Sequence, residues 1–144
     1  MPVDQSLVGR EFPPTSQRTV TPDEVAAFAS ALGGPIHGPV DGPVDGPAEA
    51  TVPPTYPIVL AFDAMNAFLA AEQIDLFRII HGEQRFAYER PIRVGDRLSA
   101  TLTVASLRQI GGADIIGTTS AILDADGALV CTAKATLVHT GGPT

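Results

Sequence analysis

The chain has a single cysteine, Cys131, so it cannot form an internal disulfide. A reducing, cytoplasmic setting is therefore expected. Apolar and polar residues alternate around Cys131, which reads as a small core side chain. Charge is scarce at 17%, and basic charge scarcer still, with nine Lys and Arg against sixteen Asp and Glu and a formal net charge of −7. That balance argues against generic nucleic-acid binding, which needs a basic face to neutralise phosphates. Long apolar runs are absent too. The longest, Ile58 to Ala71, contains Asp63 and Asn66 and is too short to span a bilayer, so no membrane partner is expected. The first residues carry no basic stretch followed by an apolar run, so no signal peptide is expected. No His, Cys or carboxylate spacing resembles a zinc site, and no glycine loop is built to cradle phosphate. Neither a metal nor a redox cofactor is expected.

What is present suits one compact domain. A chain of 144 residues, 44% of them hydrophobic, is long enough to bury a core without staples. Residues 1–140 read as that domain and 141–144 as a flexible tail. Arg78, Arg85, Arg90, Arg93 and Arg97 fall close together in the sequence. They read either as a solvated strand face balanced by Glu83, Glu89 and Asp96, or as a local site for a phosphate or an acidic carrier protein.

The first twenty residues hold one weak strand candidate, Leu7 to Phe12, broken by Pro13-Pro14. A helix is expected next: Thr21 caps it, Pro22 suits its first position and Glu24 completes a Thr-x-x-Glu box. Val25, Phe28, Ala29 and Leu32 give it one apolar face, and Gly33-Gly34 end it. Residues 33–54 form a proline- and glycine-rich loop in which Gly38-Pro39-Val40-Asp41 is repeated at once as Gly42-Pro43-Val44-Asp45. Such a duplication costs little in loop-closure entropy, and long loops within compact domains are often functional.

A second helix is expected from about Pro57 to Glu72, roughly 24 Å long. Ile58, Val59, Leu60, Phe62, Met65, Phe68 and Leu69 cover almost its whole circumference, so burial on nearly all sides is expected. A sheet must then wrap it. Four strands follow: Ile79 to Tyr88, a run from Leu98 to Val104, a third around Ile116 to Ile122 whose buried face is ambiguous, and Leu129 to Leu137. Turns at 94–97, Gly111-Gly112 and 124–127 separate them and imply an antiparallel meander.

A central apolar helix followed by such a sheet is the layout of an α+β hot-dog fold. Three segments carry a closer resemblance, to the MaoC-like N-terminal dehydratase domain family. Val52-Pro53-Pro54-Thr55-Tyr56-Pro57 is similar to the "APPTFP" lead-in to the hot-dog helix. His81-Gly82-Glu83-Gln84-Arg85-Phe86-Ala87-Tyr88-Glu89-Arg90-Pro91-Ile92 resembles the family's "HGEQxFxYxRPI" strand. Val94-Gly95-Asp96-Arg97-Leu98 resembles the "xxGDxL" turn after it. The likeness covers most of residues 7–140.

The resemblance implies a (3R)-hydroxyacyl-thioester dehydratase or (R)-specific enoyl hydratase acting on CoA or acyl-carrier-protein thioesters. It also implies a homodimer, or a heterodimer with a second hot-dog subunit. The chemistry needs a base for the α-proton, an acid for the departing hydroxyl and a donor to the thioester carbonyl. In the family an Asp and a His in a D-x-N-P-x-H loop do the proton work. Gly34-Pro35-Ile36-His37 aligns with N-P-x-H, so His37 is the motif histidine, but Leu32 stands where the motif aspartate belongs. Either Asp41 or Asp45 folds back to assist His37, or this chain is an acyl-binding half whose partner subunit carries the complete Asp/His pair. The second reading is preferred, because a Pro/Gly loop is poorly suited to holding a carboxylate within catalytic tolerance.

The candidate substrate contacts are Tyr56, Ile58, His81, Gln84 and Arg85. A backbone N–H of Tyr56 or Ile58 is the candidate carbonyl donor, since Pro57 has none. Tyr56 also reads as packing, His81 and Gln84 also read as satisfied structural groups, and His139 reads as solvated near the tail. Two other functions share the fold: a thioesterase using Asp63 with Asn66, and a non-catalytic acyl-thioester binding protein.

Overall fold

The computed structural model describes residues 3–33 and 52–140. Helix α1 spans Pro22–Ala31. Thr21 caps it as expected, its hydroxyl accepting the Glu24 N–H at 3.1 Å and donating to the Glu24 carboxylate at 3.4 Å. Leu32 is the C-cap, and Gly33, at φ 119°, turns the chain away. Helix α2 spans Ile58–Ala71. The strands are β1 (Arg18–Thr19), β2 (Ile79–Tyr88), β3 (Arg97–Ile110), β4 (Ala113–Leu123) and β5 (Leu129–Thr140).

The five strands form one antiparallel sheet in the order β1-β3-β4-β5-β2. The expected meander therefore holds only for β3, β4 and β5. Strand β2 precedes them in sequence, yet it crosses over to pair with β5 and takes the sheet edge. The weak strand at Leu7 to Phe12 reduces to a 3-10 turn at Gln5–Leu7 and one bridge, Glu11 to Thr103. This segment lies along β3, with Leu7 and Phe12 buried.

Helix α2 packs against β3 and β4 to form the core. Leu60 and Phe68 are fully buried, with Ala61, Ala64, Met65 and Leu69 nearly so. They meet Leu98, Leu102 and Val104 on β3, Ile116 and Ile122 on β4, and Leu137 on β5. Each fully buried Leu or Phe contributes about 2 kcal/mol. The Phe12 and Phe68 rings pack edge to face at 5.0 Å. Burial of α2 is less complete than its composition suggests. Phe62 is 41% exposed and Asp63 lies outward, because in this single chain the sheet covers only one side. A curled antiparallel sheet holding one long helix against its inner side is the hot-dog fold.

The conspicuous motif at residues 81–98 does much of the joining. Asp96 receives the Arg90 guanidinium at 2.8 Å and the Arg93 N–H at 2.9 Å, and Arg90 also reaches Asp124 at 3.6 Å. Gly95, at φ 99°, lets the turn swing back so that Gly95 N–H and Asp96 C=O both pair with Val20. Within the same motif, the Tyr88 hydroxyl donates to the carbonyl of Pro54 at 2.6 Å.

Candidate active-site groove

A groove runs between α2 and the inner side of β2, β5 and β4, with about 260 Å³ of empty space, solvent at its mouth included. Its helix wall is Ile58, Ala61, Phe62 and Met65, and its sheet wall holds His81, Gln84, Ala135, Ala133, Thr118 and Ser120. Small side chains make the space. Ala133 and Ala135 stand on the middle strand of the three, opposite Ala61, where larger residues would close the gap. Cross-strand register orders the floor into rows: Gln84, Ala135 and Thr118 in one, Phe86, Ala133 and Ser120 in the next.

The rim depends on a bulge. Pairing of β2 with β5 shifts register between His81 and Glu83. In an unbroken strand, residues three apart face opposite sides. Here the extra residue, Gly82, lets His81 and Gln84 line the same groove. Their side chains join through His81 Nε2 and Gln84 Oε1 at 2.9 Å, and Gln84 Nε2 donates to the Arg85 carbonyl at 3.3 Å. An amide oxygen can only accept, so in this pair His81 Nε2 carries the proton. That leaves His81 Nδ1 with its lone pair as an acceptor or base.

The other candidates separate. Arg85 points away from the groove, its guanidinium paired with Glu83 at 2.8 Å. Tyr56 is 1% exposed and lies on another side of α2, stacked edge to face on Phe28 at 5.5 Å. Burial, then the nearby Glu24 carboxylate, push its phenol pKa up. Both candidate carbonyl donors are spent: Tyr56 N–H bonds Pro53 at 2.9 Å and Ile58 N–H bonds Thr55 at 3.0 Å. Val59 and Leu60 N–H are likewise bonded, which leaves Thr55 N–H as the amide at the start of α2 without a partner among the described residues. Asp63 does not line the groove; it lies 3.7 Å from Arg18. Asn66 does not line it either, and among the described residues no carboxylate lines the groove. His37, Asp41 and Asp45 lie outside the described residues. Leu32 lies within them, half exposed at the C-cap of α1, and offers no carboxylate.

Two residues carry chemistry that sequence reading missed or misjudged. His139 is buried rather than solvated, 5% exposed, because β5 continues to Thr140 and sets it opposite Asp114. Its Nδ1 donates to Asp114 at 3.0 Å, and Asp114 also accepts from Val3 N–H at 3.1 Å and Gln109 at 2.9 Å. Burial alone would raise the Asp114 pKa, but these three donors outweigh it and hold the carboxyl below its ordinary value. The network ties the N-terminal segment to three strands and lies outside the groove. The expected role of Cys131 is correct: it is fully buried, and burial pushes its thiol up to about 11.

A family model for the FAS1-like dehydratase domain region matches residues 6–133. The chain belongs to that family. A UPF0336 protein of Saccharopolyspora erythraea is 37% identical over 98% of this chain and 94% of its own length. Among solved structures, the HadBC (3R-hydroxyacyl-ACP dehydratase) complex of Mycobacterium tuberculosis superposes with a TM-score of 0.77 at 26% identity, covering 96% of this chain and 99% of that one. The (R)-hydratase of A. caviae involved in PHA biosynthesis gives 0.60 at 26% identity, over 93% and 98% of the two chains. A MaoC-like dehydratase of Rhodospirillum rubrum shares the fold, with a TM-score of 0.64 at 20% identity over 95% and 94%. The MaoC-like resemblance of the sequence is thus borne out, and the chain is a hot-dog domain of the dehydratase and hydratase class. No helix among the described residues is long and apolar enough to cross a membrane.

Proposed function

We propose that this chain binds the acyl part of a 3-hydroxyacyl or 2-enoyl thioester, carried on CoA or acyl carrier protein, for (R)-specific dehydration or hydration. In this reading it is the incomplete subunit of a heteromeric dehydratase, and a second hot-dog chain supplies the complete Asp/His pair. The observation that carries the proposal is the groove: a small-residue channel under α2 whose rim holds the oriented His81–Gln84 pair. Ile58 and Phe62 form its apolar wall, and His81 Nδ1 is free to accept a hydrogen bond from the substrate's hydroxyl or pantetheine amide. Thr55 N–H, at the positive end of α2, is the donor left for the thioester carbonyl as enolate charge develops.

Leu32 supports the incomplete-half reading, since the motif aspartate cannot act from an apolar cap residue. The likeness to the HadBC complex agrees with a partner subunit. Edge strand β2, unpaired on its outer side among the described residues, is the surface on which a second sheet would dock.

The test is crotonyl-CoA hydration by the purified chain, alone and with an intact hot-dog partner, recording product stereochemistry. Turnover to (R)-3-hydroxybutyryl-CoA only with the partner, undiminished by His37→Ala, is expected. Robust turnover by the chain alone would instead make this subunit catalytic, with His37 assisted by Asp41 or Asp45.

A further inference from the structure

The β4 side of the groove is polar. Thr118 and Ser120 retain only 5% and 3% of their surface, yet both line it. Neither hydroxyl has a hydrogen-bond partner among the described residues. Their register partners on β3, Val104 and Leu102, are fully buried and do not line the groove, so β4 is the last strand that does. The flanking inward positions of β4, Ile116 and Ile122, are apolar. The polar pair therefore occurs on this strand where the groove ends, two strand spacings or about 10 Å from the His81–Gln84 rim.

A hydrocarbon tail reaching that point would strip water from two hydroxyls and give nothing back, an unfavourable exchange. A chain with its own oxygen there would satisfy them, and a site built this way rejects the analogue that lacks the oxygen. Resting on the acyl-thioester reading, we infer that the groove selects acyl chains carrying a hydroxyl or carbonyl at their far end. Thr118 and Ser120 are the specificity-determining contacts.

The test is calorimetric binding of matched probes to the full chain, with its partner subunit where one is required. Hexanoyl-, octanoyl- and decanoyl-CoA would each be compared with the omega-hydroxy counterpart. At the length that reaches β4, the hydroxylated probe should bind on the order of tenfold tighter. The Thr118→Val/Ser120→Ala double variant should lose or reverse that preference, while Thr118→Ser, which keeps the hydroxyl, should retain it. A fold check by circular dichroism accompanies each variant, and Ser120→Ala alone serves if the double variant does not fold. Equal binding of plain and hydroxylated probes at every length would overturn the specificity while leaving the acyl-thioester reading intact. Failure of every probe to bind would remove that reading, and the inference with it.

Discussion

The Tyr88 hydroxyl donates a 2.6 Å hydrogen bond to the carbonyl of Pro54, linking the edge strand to the segment that leads into α2. Two sequence motifs are thereby held as one piece through residues 34 apart. The contact fixes the segment that leads into α2, and with it the backbone at Thr55. Burial around the phenol, and then the neighbouring Cys131 thiol, raise the Tyr88 pKa to about 12.

Tyr88→Phe should therefore lower stability by about 1 kcal/mol, the net value of one hydrogen bond, and loosen acyl binding more than it disturbs the core. Thermal melting and probe titration measure the two effects. Because the folded pKa lies above the ordinary 10, the wild-type phenol stays protonated below 10 in both states. Its contribution to stability is lost as pH climbs from there towards about 12. A phenolate signal emerging at pH 10 in the folded protein, with one residue's amplitude from Tyr88, would contradict the clamp.

Asp114 makes the opposite pH prediction. Its folded pKa lies below 3.8, so the folded state binds fewer protons there than the unfolded chain. The stability it supplies is complete above that value and disappears as pH falls through the folded pKa. Asp114→Asn should cost about 2–3 kcal/mol near neutrality, since hydrogen bonds to a buried charge are strong and the amide NH2 would replace one acceptor oxygen in a cluster of three donors. The variant should also flatten the acid limb of a stability-versus-pH curve. If wild type and variant lose stability in parallel on acidification, Asp114 is not the group responsible.

How much of this was legible beforehand depended on the range of the interaction. Both helices were readable because their signals are local: Thr21 with Glu24, Gly33, and the apolar density of residues 58–69. The turns followed from Gly95, Gly111 and Gly127, but alternation understated strand length: β3 continues past Val104 to Ile110 and β5 past Leu137 to Thr140. Pairing did not, because alternation is blind to partners, and nothing within Ile79–Tyr88 says that it will cross to β5. At Thr118 and Ser120 the pattern failed for a chemical reason: apolar and hydroxyl residues occupy both faces of β4, so the usual contrast between core and solvent is missing. His139 was misjudged because its acceptor lies 25 residues away. His81 and Gln84 were found through a motif, but their placement on one side required the bulge at Gly82, which spacing alone argues against.

Cys131 should be inert despite being the chain's only thiol. It is fully buried, and with a pKa near 11 almost none of it is thiolate at neutral pH. A disulfide-exchange reagent should titrate no thiol in the native protein and one in denaturant. Fast reaction without denaturant would mean that the strands around residue 131 open readily.

Tyr56 offers the least intuitive outcome. Its ring fills the space beside Phe28 and is 1% exposed, but its hydroxyl is buried without a hydrogen-bond partner among the described residues. An unsatisfied buried hydroxyl costs about 1–3 kcal/mol, whereas the ring contributes by area and stacking. Tyr56→Phe keeps the ring and removes the penalty, so it should leave stability unchanged or raise it by about 1 kcal/mol. Tyr56→Ala removes the ring and should cost about 3–5 kcal/mol, as large-to-small core changes do. Denaturant melts of the two variants decide the matter. If Tyr56→Phe proves as damaging as a lost hydrogen bond, the hydroxyl has a partner in solution, and Tyr56 returns to the list of groups that contact substrate.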